Sequence, residues 1–578
     1  MPNAWLHSLR RRLASPDAAF AYAVLGAVAG LVTATLMILF RLALEGTLSF
    51  ALPGHAAENF EGLSRHWHFL LPLLGGMFLG LVFHFLPQTY RMTGISHVIA
   101  ALHSGRGRLP LGNMISQFFG ALLALMSGQS GGREGPAVHV GASASSLVGG
   151  VLRLPNNSLR VLAACGVAAA IAASFNTPIA GVIFAMEVVM LEYTVAGFVP
   201  VIIAAVMATT LSQAVFGATI FLPASGTTMT SLLELPFIAL LGLAAGAVSS
   251  LFVAIQATCL RWLNKPIWLR LSTAGAITGL CALLAPEVLG IGYDTLQGVL
   301  AGQFTMTALV LILGLKLLAT ATACGLGMPI GVVGPSLLIG AFVGAGLGTV
   351  GTALFPELSA GSNFYVLLGM AACMGAILNA PLAALLAIIE LTHNLNIIFP
   401  AMLAVIAAQL VHRELFGQQS SPQATLTALS QSVRASPLTQ ALLRTSAAAI
   451  MDRNIRHVNR NLPHSDLAAI VDEPKRWLVI TNDQNRRIIV HREHWFPILS
   501  ELTLEEGGRL DLLATLDNLR PTATFDVGGT LLDALHTMND AGLDSLFVSN
   551  AAGYRGPPDE GVITREALSD HYNLPIRF

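Results

Sequence analysis

The sequence predicts an all-α polytopic membrane domain followed by a smaller α/β soluble region. Three observations carry that expectation. Of 578 residues, 54% are hydrophobic and only 11% are charged, against about 25% charged in soluble globular chains. Apolar runs suited to spans of about 20 residues recur from about residue 17 to about residue 415; "FAYAVLGAVAGLVTATLMILF" (20–40), "FLLPLLGGMFLGLVFHFL" (69–86) and "ALVLILGLKLLATATACG" (308–325) are examples. Near residue 417 the composition turns polar, and "DRNIRHVNR" and "VDEPKRW" follow.

Taken in order, residues 1–16 read as a short amphipathic cytoplasmic segment. It lacks the small-residue cleavage site of a secretory signal. Arg10, Arg11 and Arg12 flank the first span and are expected to keep that end, and the C-terminus with it, in the cytoplasm of a bacterial inner membrane. The membrane domain is placed at 17–432, in two halves of about 17–215 and 231–432. A linker is expected at 433–445 and a soluble domain at 446–578. The net charge of −1 provides no basic face for a nucleic acid. Cys165, Cys259, Cys281, Cys324 and Cys373 all fall in apolar stretches at unrelated spacings, so neither a disulfide framework nor a metal site is expected. No cofactor is expected either.

The membrane domain repeats itself. "GVAAAIAASFNTPIAGVIFAMEVV" (166–189) aligns without a gap to "GMAACMGAILNAPLAALLAIIELT" (369–392), sharing Asn176/Asn379, Pro178/Pro381, Ala180/Ala383 and Glu187/Glu390 among other pairs. Upstream of each copy lies a glycine–proline break, "GREGP" (132–136) and "GVVGP" (331–335). Two halves with matching interrupted helices point to a transporter whose site lies at the repeat interface.

Such breaks are tolerated in a bilayer only where protein or a hydrated cavity surrounds them. Each reads as a glycine turn, then Pro in the first helical turn, then an apolar helix. The freed N–H groups and the positive end of the macrodipole make an anion site without a buried cation. Within the first break stand Arg133 and Glu134, although an intramembrane charge costs about 2.5–3.5 kcal/mol on insertion scales and is therefore a functional hypothesis. Glu134 is expected to act as a gate: its carboxylate occupies an anion position, and protonation frees that position. Arg133 is expected to bond loop carbonyls or a distant carboxylate. His139 could shuttle protons or pack as a neutral core histidine. The dinucleotide-like "GLGTVG" (346–351) lies in an apolar helix and is expected to serve helix packing.

The soluble part holds two similar units, about 446–503 and 519–578. "HSDLAAIVDE" precedes "RWLVIT", "RRIIVH" and "REHWFPILSEL"; "TLLDALHTMNDAGL" precedes "SLFVSN", "EGVIT" and "REALSDHY". Each reads as helix, two strands and helix, a pattern that resembles a pair of CBS domains.

The motifs "GREGP", "AASFNTPIAGVIFAMEV" (172–188), "GMPIGVVGP" (327–335) and "GAILNAPLAALLAIIELT" (375–392) resemble those of the CLC family of chloride channels and proton-coupled chloride transporters. That resemblance implies a homodimer in the lipid bilayer, inverted repeats of broken helices, chloride or other small anions as cargo, and protons in the exchanging members. It makes Glu134 the gating glutamate. Val332 and Val333 become donors of backbone amides to the anion, while Thr93, Gly94, Ile95, Arg133 and Gly135 complete the anion-binding set. "RMTGISHVI" (91–99) departs from the family's Gly-Ser-Gly-Ile-Pro, with Thr93 in place of the serine. Val188 stands where exchangers often carry an internal glutamate, and Pro422 or Gln423 where the family has a central tyrosine. Both departures favour channel-like conduction, with proton-coupled antiport as the alternative. His494 and Ala567 stand where nucleotide-binding CBS units carry a ribose-binding Asp, so nucleotide binding is not expected. An intramembrane hydrolase using Glu134 and His139 would lack a second carboxylate or a metal cluster.

Overall fold

The computed structural model describes residues 9, 10, 13, 18–55, 58–103, 107–217, 222, 227–431, 437–473, 475–482, 484, 486–502, 509–550 and 559–572. Arg11, Arg12 and most of the expected N-terminal segment lie outside the described residues, as do positions 433–436 of the expected linker. The first membrane half runs α1 (Ala19–Ala51), α2 (Arg65–Phe85), α3 (Gly94–His103), α4 (Leu111–Met126), α5 (Glu134–Val151), α6 (Asn156–Phe175), α7 (Pro178–Phe184, continued by a π-helical turn at Ala185–Met190) and α8 (Val195–Phe216). The second half runs α9 (Leu235–Leu260), α10 (Ile267–Ala282), α11 (Tyr293–Leu300), α12 (Met306–Leu326), α13 (Val333–Leu354), α14 (Ser362–Leu378), α15 (Pro381–Thr392) and α16 (Ile398–Leu410), and α17 (Ser421–Ala428) follows. Among the described residues, eight helices are long and apolar enough to cross a membrane, α13 at the second glycine–proline break among them, and α3, α4, α7, α10, α14 and α15 are shorter apolar helices.

The repeat is physical as well as textual. α5 packs on α6 where a Cβ on Gly141 would overlap the Gly166 carbonyl oxygen, and α13 packs on α14 where a Cβ on Gly340 would overlap that of Gly369. "GLGTVG" belongs to the second contact: a Cβ on Gly348 would press on Ser362 and Tyr365. Helices α6 and α14 both end at an asparagine in the left-handed region, Asn176 (φ 59°) and Asn379 (φ 54°). Each Asn accepts a hydrogen bond from a glutamine of the long helix beside it, Gln213 at 2.6 Å and Gln409 at 2.8 Å. α14 is apolar on every face, and from Phe364 to Leu378 it is buried throughout, as such a helix must be when it is not facing lipid.

Glu187 and Glu390 exchange places between the halves. The Glu187 carboxylate accepts from the N–H groups of Leu382 (3.2 Å) and Ala383 (2.8 Å) in the first turn of α15. Glu390 accepts from Ile179 (2.9 Å) and Ala180 (2.7 Å) in the first turn of α7. Neither Thr177 nor Ala380 caps its own helix with a side chain, so each orphaned helix start is satisfied by a carboxylate from the other half. The five cysteines are free.

The soluble region contains two βαββα units. The first is β1 (Ile455–Asn459), α20 (His464–Asp472), β3 (Trp477–Thr481), β4 (Arg487–His491) and α21 (Arg492–Glu501), with β1 parallel to β3 and β4 antiparallel to it. The second is β7 (Ala523–Asp526), α23 (Leu531–Ala541), β8 (Ser545–Ser549), β9 (Gly561–Thr564) and α24 (Arg565–Tyr572), with the same pairing. Strands β2 (Asn461–Pro463) and β5 (Arg509–Asp511) pair beside the first unit, β6 (Arg520–Pro521) adds to its sheet at β4, and the short helix α22 (Leu512–Thr515) follows β5. Each unit thus begins with a strand that the sequence pattern did not include.

The linker boundary needs correction. Residues 437–450 form two helices, α18 (Pro437–Arg444) and α19 (Ala447–Ile450). Leu442, Leu443, Ala447 and Met451 are buried with Leu531, Leu535 and Met538 in the core of the second unit. Residues 446–452, assigned by sequence to the first unit, therefore pack on the second, and Asp452 bridges to Val562. The soluble region meets the membrane domain through an Arg444–Glu192 ion pair at 3.0 Å and the Asn156 N–H donating to the Gly528 carbonyl at 2.9 Å.

Candidate anion site

The two breaks touch each other. Gly132 and Gly331 form an antiparallel bridge, with N–H to carbonyl distances of 2.8 and 2.7 Å. A Cβ on Gly135 would come within 2.8 Å of the Gly331 Cα, so only glycines permit this approach. The bridge brings the starts of α5 and α13 together, and both present first-turn N–H groups without intrahelical partners. Val332 is the N-cap and Val333 the first residue of α13, both buried. Glu134 is the first residue of α5 and is fully buried.

The Glu134 carboxylate crosses to the opposite half. Its Oε1 lies over the start of α13, 2.8 Å from where a Cβ on Gly334 would stand, and its Oε2 lies against Gly132 and Gly331. Oε1 accepts a hydrogen bond from the Tyr293 hydroxyl at 3.0 Å, while Oε2 has no hydrogen-bond partner among the described residues. A buried carboxylate at a foreign helix N-terminus occupies the place the macrodipole offers to any small anion.

Arg133 points elsewhere. Its Nη2 donates to the Ser174 carbonyl at 3.0 Å and its Nη1 contacts Glu45 at 3.3 Å. Its guanidinium carbon lies 5.7 Å from the Phe175 ring centroid and 5.5 Å from that of Tyr293. Among the described residues no ion pair joins it to Glu134. Its side chain is therefore not part of the anion-binding set, a correction to that set: carbonyl and carboxylate hold the guanidinium, as the sequence reading of the residue expected. Arg133 instead borders a cavity of about 290 Å³ lined also by Glu45, Glu58, Tyr293, Asp294 and Gln297.

Gly94 is corrected in part. At the start of α3 it takes a positive φ of 79°, but its N–H donates to Gln117 Oε1 at 2.6 Å and is not free for an anion. Gln117 in turn donates to the Pro329 carbonyl at 3.1 Å, tying the 93–95 loop to the "GMPIGVVGP" segment. Thr93 is half-buried and Ile95 buried beside it. Ser96 Oγ donates to the Pro422 carbonyl at 3.2 Å, so the loop and the Pro422–Gln423 turn come together; the Gln423 N–H is held by Ser420. Val188 is buried within the π-helical turn.

Sequence reasoning missed three residues here. Tyr293 follows Gly292 much as Ile95 follows Gly94, a parallel between the halves that could have marked it. Gln117 carries no local signal. His97 makes a 2.8 Å Nδ1–Nε2 contact with the fully buried His139, their rings stacked at 5.0 Å, so His139 is neither an isolated shuttle nor an unpartnered core residue.

In the soluble region a cavity of about 560 Å³ between the two units is lined by Asp452, Arg476, His491, His494, Arg520, Thr564, Glu566 and Ala567, among others. Arg520 is paired with Glu566 at 3.0 Å and Arg476 with Asp452 at 3.3 Å. The Thr564 hydroxyl accepts from the Ala567 N–H at 3.2 Å.

Residues 75–413 match the family model described as voltage gated chloride channel. A putative chloride channel protein ClcB-like from Ralstonia nicotianae is 33% identical over 350 residues, covering 58% of this chain and 80% of that protein. Among solved structures, a slow cyanobacterial Cl-/H+ antiporter aligns at a TM-score of 0.61 and 23% identity over 72% of this chain and 99% of its own. A CLC-type fluoride/proton antiporter aligns at 0.58 and 23% over 69% and 96%, and a eukaryotic CLC transporter at 0.57 and 18% over 94% and 97%. With the two breaks bridged at Gly132 and Gly331 and the helices of a multi-pass membrane protein around them, the chain belongs to the voltage gated chloride channel (CLC) family.

Proposed function

We propose that the protein carries chloride across a bacterial inner membrane through a pathway gated by Glu134, and that its conduction is channel-like. The observation that carries this reading is the buried Glu134 carboxylate at the start of α13, where it stands in for a permeant anion. Ionised, it holds the site; protonated, it loses the attraction of the helix start and leaves. Val332 and Val333 then offer their amides to chloride, with Gly135 allowing the close approach of the two breaks and Thr93 and Ile95 shaping the pathway beside Pro422 and Gln423. Channel-like conduction is supported by Val188, an apolar buried side chain that cannot hand a proton to Glu134.

Antiport is the second reading, and the His97–His139 couple favours it as a buried ionisable pair between α3 and α5, the helix that carries Glu134. Reconstituted liposomes under opposed chloride and proton gradients separate the two. The zero-current voltage is expected to follow chloride alone; a voltage that moves with the proton gradient at fixed chloride establishes exchange.

The soluble units are proposed to be a CBS pair within a homodimer. Its role is coupling to the membrane domain through Arg444–Glu192 and not nucleotide sensing. The arginines of its cavity are already paired with carboxylates, and Ala567 offers no carboxylate to a ribose.

A further inference from the structure

Short helix α11 is the counterpart of α3. Each follows a glycine with positive φ, Gly94 at 79° and Gly292 at 87°, and each precedes a long helix and then a break. In the first half the residue after that glycine is Ile95; in the second it is Tyr293, which brings a hydroxyl to the equivalent position. The start of α11 is pinned, because Glu58 Oε2 accepts from the N–H of Tyr293 at 2.8 Å and of Asp294 at 3.4 Å. The ring is further held by the Arg133 guanidinium 5.5 Å from its centroid. The phenol is therefore positioned by backbone and cation rather than by the carboxylate it contacts.

We propose that Tyr293 is an anion ligand of the pathway itself. Its hydroxyl donates to Glu134 Oε1 at 3.0 Å only while that carboxylate stands in for an anion, and it donates the same hydrogen to the chloride that replaces it. This inference rests on reading Glu134 as the gate. A phenolic O–H can donate to a carboxylate oxygen or to a halide at the same point. Tyr293 lines the cavity shared with Glu45, Glu58, Arg133 and Asp294, so an anion entering from that side passes the phenol. Three carboxylates there repel anions at long range, offset in part by Arg133, and the phenol supplies a short-range donor where the anion must be held.

The test is chloride binding by calorimetry on the full-length protein in detergent, comparing Glu134→Gln with Glu134→Gln/Tyr293→Phe. Phe keeps the ring against Arg133, and thermal unfolding of both variants confirms that they fold. With the carboxylate already neutralised, the second substitution is expected to weaken chloride binding by about tenfold, the worth of one hydrogen bond to a charged acceptor. Equal affinities overturn the proposal and leave Tyr293 as a holder of Glu134 only; absence of chloride binding in Glu134→Gln overturns it as well. The gate reading fails separately, by Glu134→Gln flux that keeps its pH dependence, and a tenfold loss in the double variant would then still establish Tyr293 as a ligand.

Discussion

The breaks "GREGP" and "GVVGP" share a glycine–proline frame and differ in the two residues inside it. In the first half these are Arg133 and Glu134, in the second Val332 and Val333. The frame does the same work twice: it ends a helix, bridges to its partner and aims a helix start inward. The contents do opposite work. One half sends out a tethered anion and the other receives it. The contrast extends along the chain. Gly141/Gly340, Asn176/Asn379, Gln213/Gln409 and Glu187/Glu390 are alike in both halves and make equivalent structural contacts. Glu134/Val333 and Tyr293/Ile95 are unlike, and Glu134, the start of α13 and Tyr293 meet at the candidate site. Symmetry in this molecule marks scaffold; broken symmetry marks function.

That comparison can be broken most severely at the scaffold glycines. Gly141→Val and Gly340→Val each drive a side chain into a backbone carbonyl, and each is expected to cost more than about 3 kcal/mol. Size-exclusion profiles of the purified variants should show loss of the folded species in both. A folded Gly340→Val beside an unfolded Gly141→Val would deny the halves their equivalence. The next effect is functional. Glu134→Gln should keep chloride flux in liposomes and remove most of its response to external pH, while its thermal stability stays near wild type. The smallest effects are expected at the exchanged carboxylates. Glu187→Gln and Glu390→Gln each weaken a pair of charge-assisted bonds to a helix start and should lower stability by about 1–2 kcal/mol. Flux per folded molecule should stay unchanged, and thermal unfolding should register equal losses. An effect of either on pH-dependent flux would move that residue from scaffold to function.

Much of the site was legible because the sequence marks interruptions plainly. Glu134 and Arg133 stood out as charges in an apolar context, the second break was found by the repeat, and its valines were assigned by the family resemblance. Their contacts were not legible. Arg133 was expected to meet a loop carbonyl or a distant carboxylate, but not Ser174 and Glu45 in particular; the Gly94 N–H was taken by Gln117, and α18 was read as linker although it carries Leu438, Leu442 and Leu443.

What the sequence alone determined is the set of elements: spans, breaks, two halves and a repeated helix–strand–strand–helix unit, without the first strand of each. Backbone hydrogen bonding in lipid must be satisfied within each segment, so apolar length and Gly/Pro placement suffice to define them. What only the tertiary structure decided is which groups meet. The Tyr293 hydroxyl reaches Glu134 and Glu187 caps α15 across long stretches of chain. Such pairings follow no local period, since they arise where two separately formed helix starts converge and a buried carboxylate must find a donor.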